Sequence, residues 1–564
     1  MAYSFYLGSS GSEKTERAFL DMIEASLEAP EERFFVLVPE QYSMLVQKKL
    51  LALHPRHASR NLEALSLNRL AYRVFQERNV QLPPIMDESG KAMVVRRVGS
   101  LLEKELTLWK GKVKKAGFAE QVKSMISECL QYGAAPSRFA ELAATEKKRQ
   151  LSMKLRDFSL LYQGVRDFVQ GKQLPKEEIL GCFAGCIASS ELLRGAHILL
   201  VGFVGFTPVQ YRVLEEMLAV AADVRFVVSL DTALNPYRQL PEEELFHLST
   251  EYIRRIGEIA DRVRVPHGED RSFPGAARLK APELAFLDAH ALRYDGAVYP
   301  DQVQALTVSA QESPEAEAAA LARHILRLVK DEGYRYRDIA VVVADFQGLG
   351  EFFSEALLAA GIPAHLDENL TVRANPLPEL LNAALLCVRE NFSPRTFFRF
   401  LHNPLVTDQW KLTALLENYV TLTGVRHLKR LREPFSYCPK ELEGADLEAL
   451  NRFKEEMLNL LLPLREAFSE GEADVAVIAA LLEGLMEQLA VEEKLQHAAE
   501  RFLAAGEAPR AREFSEVYPE TQRILREMRE VLAGERLSRA DMAGVLESGL
   551  REIHIGQIPA YADR

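Results

Sequence analysis

The stretch AYSFYLGSSGSEKTERAFLDMIEASLE at residues 2–28, followed by RFFVLVP at 33–39, alternates two kinds of periodicity. AYSFYLG is short and aromatic-rich, ERAFLDMIEASLE carries apolar residues at helical spacing, and RFFVLVP contains an unbroken apolar run. Strand, glycine loop, helix, strand is a βαβ unit. Apolar runs of this kind suit parallel strands covered on both faces, so an α/β core is expected at the N-terminus.

Outward from this unit the character changes. From Asp87 to about Arg194 the periodicity is nearly continuously helical, with LLEKELTLWKGKVKKAGFAEQVKSMISECL (101–130) as its clearest example. Buried-strand patterns return in AHILLVGF (196–203) and VRFVVSL (224–230), separated by the helix-like TPVQYRVLEEMLAVA, so a helical block splits the first core. After a polar, proline-containing stretch around Gly268 to Pro282, QALTVSA (304–310), EAEAAALARHILRLVKDEG and DIAVVVA (338–344) read as strand, helix, strand and open a second α/β core. Residues 376–553 are again helical in pattern. The extended EIHIGQIPAYADR (552–564) then returns towards the second core with no later segment to pair against.

At 564 residues the chain is several times the span of one hydrophobic core. Its 48% hydrophobic and 27% charged residues are ordinary for a soluble globular protein, and neither a membrane span nor a secretion signal is visible, so the cytoplasm is the expected compartment. Cys129, Cys182, Cys186, Cys387 and Cys438 are too scattered for a disulfide framework, and reduced thiols are expected. A net charge of -12 argues against a protein that coats nucleic acid over its whole surface. Basic clusters therefore matter locally: Arg96 to Lys115, Lys147 to Arg156, and Arg426 to Arg432. Each also reads as the solvated face of an amphipathic helix.

Gly8-Ser9-Ser10-Gly11-Ser12-Glu13-Lys14-Thr15 lies where a P-loop cradles phosphates on backbone amides and a helix N-terminus. Lys14 can neutralise phosphates and the Thr15 hydroxyl can hold magnesium. Glu13 occupies the place of the second glycine of that pattern, setting a carboxylate where negative charges would gather. A hydrolysing site also needs an acidic pair at the tip of a later strand. AHILLVGF ends in Val201-Gly202-Phe203 and offers none, so the two halves of the site point together to a degenerate nucleotide pocket. The bland alternative is a tight glycine turn into a helix.

FYLGSSGSEKT, FFVLVPEQYS (34–43), LSLNRLAYRVF (65–75), GFAEQVKSMISEC (117–129), GAHILLVGFVGFTPVQYRVLE (195–215) and EAEAAALARHILRLVKDEGYRYRDIAVVV (315–343) together resemble the AddB subunit of bacterial AddAB-type helicase–nucleases, in family order along essentially the whole chain. The resemblance implies a superfamily 1 helicase-like α/β fold with two RecA-like P-loop cores, each interrupted by a helical insertion. On that pattern residues 1–86 and 190–285 form the first core, 87–189 its insertion, 300–375 the start of the second core, 376–553 its insertion, and 554–564 an incomplete return. It also implies an AddA-type motor subunit as partner, single- and double-stranded DNA as ligand, and resection of double-strand breaks for recombination. ATP and magnesium would bind at the P-loop, and magnesium with a [4Fe–4S] cluster in a C-terminal nuclease domain beyond Arg564. The family commonly has glycine at the place of Glu13 and aspartate at that of Val201. No nuclease residue carries over, and a fragment or split gene is expected.

Gln41, Tyr42 and Ser43 follow the second strand, where related helicases contact the DNA backbone; a polar loop capping a strand is the plain alternative. Phe203, Phe206 and Tyr211 can present a stacking face to single-stranded bases; aromatics beside a buried strand are more often core, and Phe203 is expected there. Three functions stay open: a DNA-binding subunit without chemistry of its own, an active P-loop ATPase, or a scaffold for the motor subunit.

Overall fold

The computed structural model describes residues 1–115, 117–365, 369–372, 375–437, 439–442 and 446–556. Cys438 and the last eight residues of the expected C-terminal return, 557–564, lie outside them. Two compact units emerge: one of Met1–Ile85, Met125–Arg138 and Gly171–Val308, and one of Met86–Ser124, Phe139–Gln170 and Ser309–Arg564.

The first unit is built on a six-stranded sheet. In chain order its elements are β1 (Ala2–Gly8), α1 (Lys14–Glu28), β2 (Phe34–Leu37), α2 (Ser43–Leu53), β3 (Leu62–Leu65), α3 (Leu67–Glu77), α4 (Ile179–Ile187), β4 (His197–Leu200), α5 (Pro208–Val220), β5 (Asp223–Ser229), α6 (His247–Arg262) and β6 (Arg271–Phe273). The strands lie in the order β3-β2-β4-β5-β1-β6, and every pairing is parallel. Gly8 pairs with Ser229 on one side and Phe273 on the other, which fixes where the glycine loop leaves the sheet.

Alternate residues of the strands enter two separate cores. Phe5, Leu37, Ile198, Leu200 and Phe226 pack with α3 to α6 on one face. Tyr6, Phe34, Val36, Leu199 and Val227 pack with α1 and α2 on the other. Burial on both faces explains why the strands read as continuous apolar runs rather than as alternation. Local signals agree: Thr207 and Gln210 form a reciprocal capping box with Pro208 at the first position of α5. Helix α4 falls within the stretch expected to be insertion, yet Ile179, Phe183 and Ile187 belong to the sheet's core.

The second unit is mainly helical. Helices 376–389, 447–467, 475–488, 491–504, 508–531 and 539–550 join helices 88–102 and 149–169. Charged clasps join helix 88–102 and Lys123 to the C-terminal helical segments. Lys123 bridges Glu88 at 3.0 Å and Glu552 at 2.6 Å, and Arg97 pairs with Glu535 at 2.6 Å. Glu527 accepts the Gly90 amide at 3.0 Å and pairs with Ser89 at the N-terminus of helix 88–102.

Three expectations are corrected here. The helical pattern of 101–130 is interrupted: one helix ends at Leu102 and the next begins at Phe118, and the described residues between them, 103–115 and 117, are not helical. The buried Asp157 carboxylate accepts the Thr107 and Trp109 amides at 2.9 and 2.8 Å, and Gly111 adopts φ +73°, so backbone groups a helix would use are satisfied elsewhere. QALTVSA and DIAVVVA form no strand; Val308 is 98% and Val342 94% exposed. A parallel strand needs flanking partners for its ladder; here the Gln304 and Ala305 amides go instead to the Glu283 carboxylate at 2.8 and 3.2 Å, and helices 314–331 and 346–359 pack on each other through Ile325 and Leu357. Lastly, His554–Gly556 does find a partner, pairing antiparallel with Asn369–Thr371.

Candidate nucleotide and nucleic-acid site

The glycine loop, Gln41 to Ser43, and Val201 to Phe206 follow the carboxyl ends of the parallel strands β1, β2 and β4, the edge at which ligands of open α/β sheets bind. Gly8 ends β1 and Lys14 begins α1, so Ser9 to Glu13 span the turn between them. Ser12 caps the turn back on Ser9, its amide and hydroxyl both donating to the Ser9 carbonyl at 3.2 and 2.9 Å. Lys14 is 4% exposed, and its ammonium donates to the same carbonyl at 2.6 Å. Burial lowers its pKa to about 8, against the raising field of Asp288. Glu13 is exposed at the N-cap of α1 and makes no capping hydrogen bond with its side chain. Thr15 follows, partly buried, in the first turn.

The other half of the site is apolar. Val201, at the tip of β4, is 9% exposed and packs with Val36, Val38 and Val227, and its amide donates to the Leu37 carbonyl at 3.0 Å. No side-chain oxygen is available at that position for magnesium. Asp231, just beyond β5, pairs with Arg293 at 3.1 Å. Among the described residues no three of His, Cys, Asp and Glu converge as metal ligands would. The residues therefore fit a phosphate chain at Lys14 and the amide-rich turn better than a complete hydrolysing magnesium–nucleotide complex.

Beyond β2 the chain turns through Glu40–Tyr42 into α2. Gln41 is exposed and Tyr42 is 48% exposed, beside the exposed Met44 and Leu45. Ser43 is buried, and its hydroxyl donates to the Glu40 carbonyl at 2.9 Å. Of the three residues expected to face DNA, the geometry thus presents two. Phe203, Phe206 and Tyr211 form an aromatic cluster on the edge of the core: Phe206 lies 5.0 Å from Phe203 and 5.5 Å from Tyr211, and Arg255 caps the Tyr211 ring at 5.5 Å. All three are partly buried, with Phe203 against the core as expected. Lys147, Lys148, Arg149, Lys154 and Arg156, in the second unit, are exposed. Cys182 and Cys186 pack on the sheet's core from α4.

Reading the sequence missed one part of the site. The polar, proline-containing Gly268–Pro282 stretch, to which sequence alone assigns no role, runs along the glycine loop: the Arg278 amide donates to the Gly11 carbonyl at 2.9 Å, and the Ser9 hydroxyl reaches the Gly275 carbonyl at 3.4 Å. Its proline and glycine content signals a turn but not the surface on which that turn rests.

No helix among the described residues is long and apolar enough to cross a membrane. A family model described as ADDB, N-terminal, matches residues 5–288. Proteins named as a subunit of an ATP-dependent helicase/deoxyribonuclease are similar along all of the chain: that of Lachnoclostridium phytofermentans is 31% identical over 580 residues, that of Moorella thermoacetica 30% over 581, and that of Pelotomaculum thermopropionicum 29% over 583. The chain covers 50% of each, so it spans about half the length of the curated relatives it matches.

Proposed function

The chain belongs to the AddB N-terminal family, and on that premise we propose that it is the helicase-like, DNA-binding part of a subunit that resects double-strand DNA breaks for recombinational repair. Its partner is a motor subunit of the AddA type, and its own nucleotide site is degenerate. The observation that carries this reading is the pairing of an intact Lys14 and glycine turn with an apolar Val201 at the tip of β4. That combination supports phosphate binding without a carboxylate at the β4 tip to hold magnesium. The order of the sheet supports the helicase-like comparison, since one strand, β5, separates the glycine-loop strand from β4.

Single-stranded DNA is the ligand we assign to the loop after β2. Gln41 offers a polar contact to phosphate and Tyr42 a face for a base. Stacking on an aromatic side chain contributes about 1–3 kcal/mol per base, so Gln41→Ala with Tyr42→Ala should weaken oligonucleotide binding by roughly 5- to 150-fold. Fluorescence anisotropy at low salt measures this. Unchanged affinity in the double variant would move the DNA contact elsewhere, and no binding by the unaltered chain would favour the scaffold reading.

A further inference from the structure

The function proposed above leaves unused the segment from β6 to Tyr299, which returns across the carboxyl edge of the sheet. Three observations place its first turn on the phosphate cradle, and the helix after it adds a charge. The Gly275 carbonyl takes the Ser9 hydroxyl, and the Arg278 amide binds the Gly11 carbonyl. A Cβ added at Gly11 would lie 2.9 Å from both the Ala276 Cβ and the Leu279 Cδ1, so the loop and the segment touch with no room between them. Asp288, from the helix that follows (Pro282–His290), acts on the Lys14 ammonium as a phosphate would in sign. The Lys14 ammonium is itself turned back onto Ser9.

The segment is tied down at its ends and lightly held in its middle. Before it, Phe273 is paired in register beside Gly8. After it, Glu283 accepts the Gln304 and Ala305 amides at 2.8 and 3.2 Å, and Arg293 pairs with Asp231. Between these anchors, contact with the glycine loop includes two hydrogen bonds and the small apolar patch of Ala276 and Leu279, and the Arg278 charge acts on Lys14. Gly275, at φ +80°, supplies a backbone position from which the turn can swing.

We propose that Gly275–Leu279 is a strap that gates the glycine loop, so that a polyphosphate chain, free or carried by a nucleotide, enters only when the strap lifts. The proposal rests on reading the loop as a phosphate cradle. Strap closure and phosphate binding then compete for Ser9, Gly11 and Lys14, and each ligand state selects one strap position.

The test compares the unaltered chain with Ala276→Gly/Leu279→Gly, which removes the strap's apolar hold but touches neither Lys14 nor the DNA-facing loop. Binding of MgATP and of magnesium tripolyphosphate is measured by calorimetry, and single-stranded DNA binding in the same samples. The gate predicts at least tenfold tighter phosphate binding in the variant. Tightening for both probes identifies the phosphate chain as the recognised group, and tightening for ATP alone identifies the whole nucleotide. Equal affinity in the two proteins, or no binding by either, overturns the gate. Loss of DNA binding by the unaltered chain would instead count against the function proposed above. Should the variant fold poorly, hydrogen exchange at the Arg278 amide of the unaltered chain decides. The gate predicts at least tenfold faster exchange with saturating tripolyphosphate, and unchanged protection refutes it.

Discussion

Gly11→Ala isolates the contact between the glycine loop and the segment above it. The new methyl group would sit 2.9 Å from the Ala276 Cβ, 2.9 Å from the Leu279 Cδ1 and 3.0 Å from the Leu279 Cγ, all well inside ordinary carbon–carbon contact. Overpacking of this size costs about 1–3 kcal/mol when neighbours cannot withdraw. In an Ala276→Gly/Leu279→Ala background the obstructing atoms are gone, and the same substitution should cost less than about 0.5 kcal/mol. A double-mutant cycle should therefore give a coupling of about 1–2 kcal/mol, within the range for residues in contact. Hydrogen exchange is the suitable assay, because Trp109 and Trp410 both lie in the second unit and report nothing on the sheet. The Leu230 amide, which donates to the Gly8 carbonyl at 2.8 Å, and the Arg278 amide are the probes. The coupling corresponds to roughly 5- to 30-fold in exchange rate. Equal effects of Gly11→Ala in both backgrounds would refute the packing of Ala276 and Leu279 on the loop.

Two further predictions concern the helical unit. Asp157→Ala should destabilise it by about 2–4 kcal/mol, because the buried Trp109 amide loses its acceptor and the Thr107 groups must be rehydrated; urea unfolding followed by Trp109 fluorescence measures the loss, and an unchanged midpoint would contradict it. At the clasp between helices 88–102 and 508–531, burial and the neighbouring Asp87 push the Glu527 carboxyl up to about 8. The sign follows from linkage: a carboxyl that keeps its proton in the folded state stabilises fully below its unfolded value, and that contribution is lost as pH rises towards 8. Glu527→Gln should therefore match the unaltered chain near pH 5 and melt higher at pH 9, and a parallel pH dependence in both proteins would refute the assignment.

The first βαβ unit was legible because its strands are buried on both faces and its loop is punctuated by glycine. The strands at 197–200 and 223–229 were legible for the same reason. Periodicity failed where a distant side chain decides the backbone, as when Asp157 captures the amides of 107 and 109 within a helix-like sequence. It failed again at 304–310 and 338–344, because a run rich in valine states only that a strand is possible and its partners must come from elsewhere. Union of helix 88–102 and Lys123 with the C-terminal segments through Glu552 and Glu527 is a long-range event with no local signature. At the site, the identities of Glu13, Lys14 and Val201 were readable one by one. The commitment of the Ser43 hydroxyl and the strap above Gly11 required the fold.

The most direct measurement is phosphate release from MgATP by the purified chain with saturating single-stranded oligonucleotide, compared with Lys14→Ala. A degenerate site without a carboxylate at the β4 tip predicts bound DNA and no release above that of the variant. DNA-stimulated release that disappears in Lys14→Ala would contradict it and make this chain a motor.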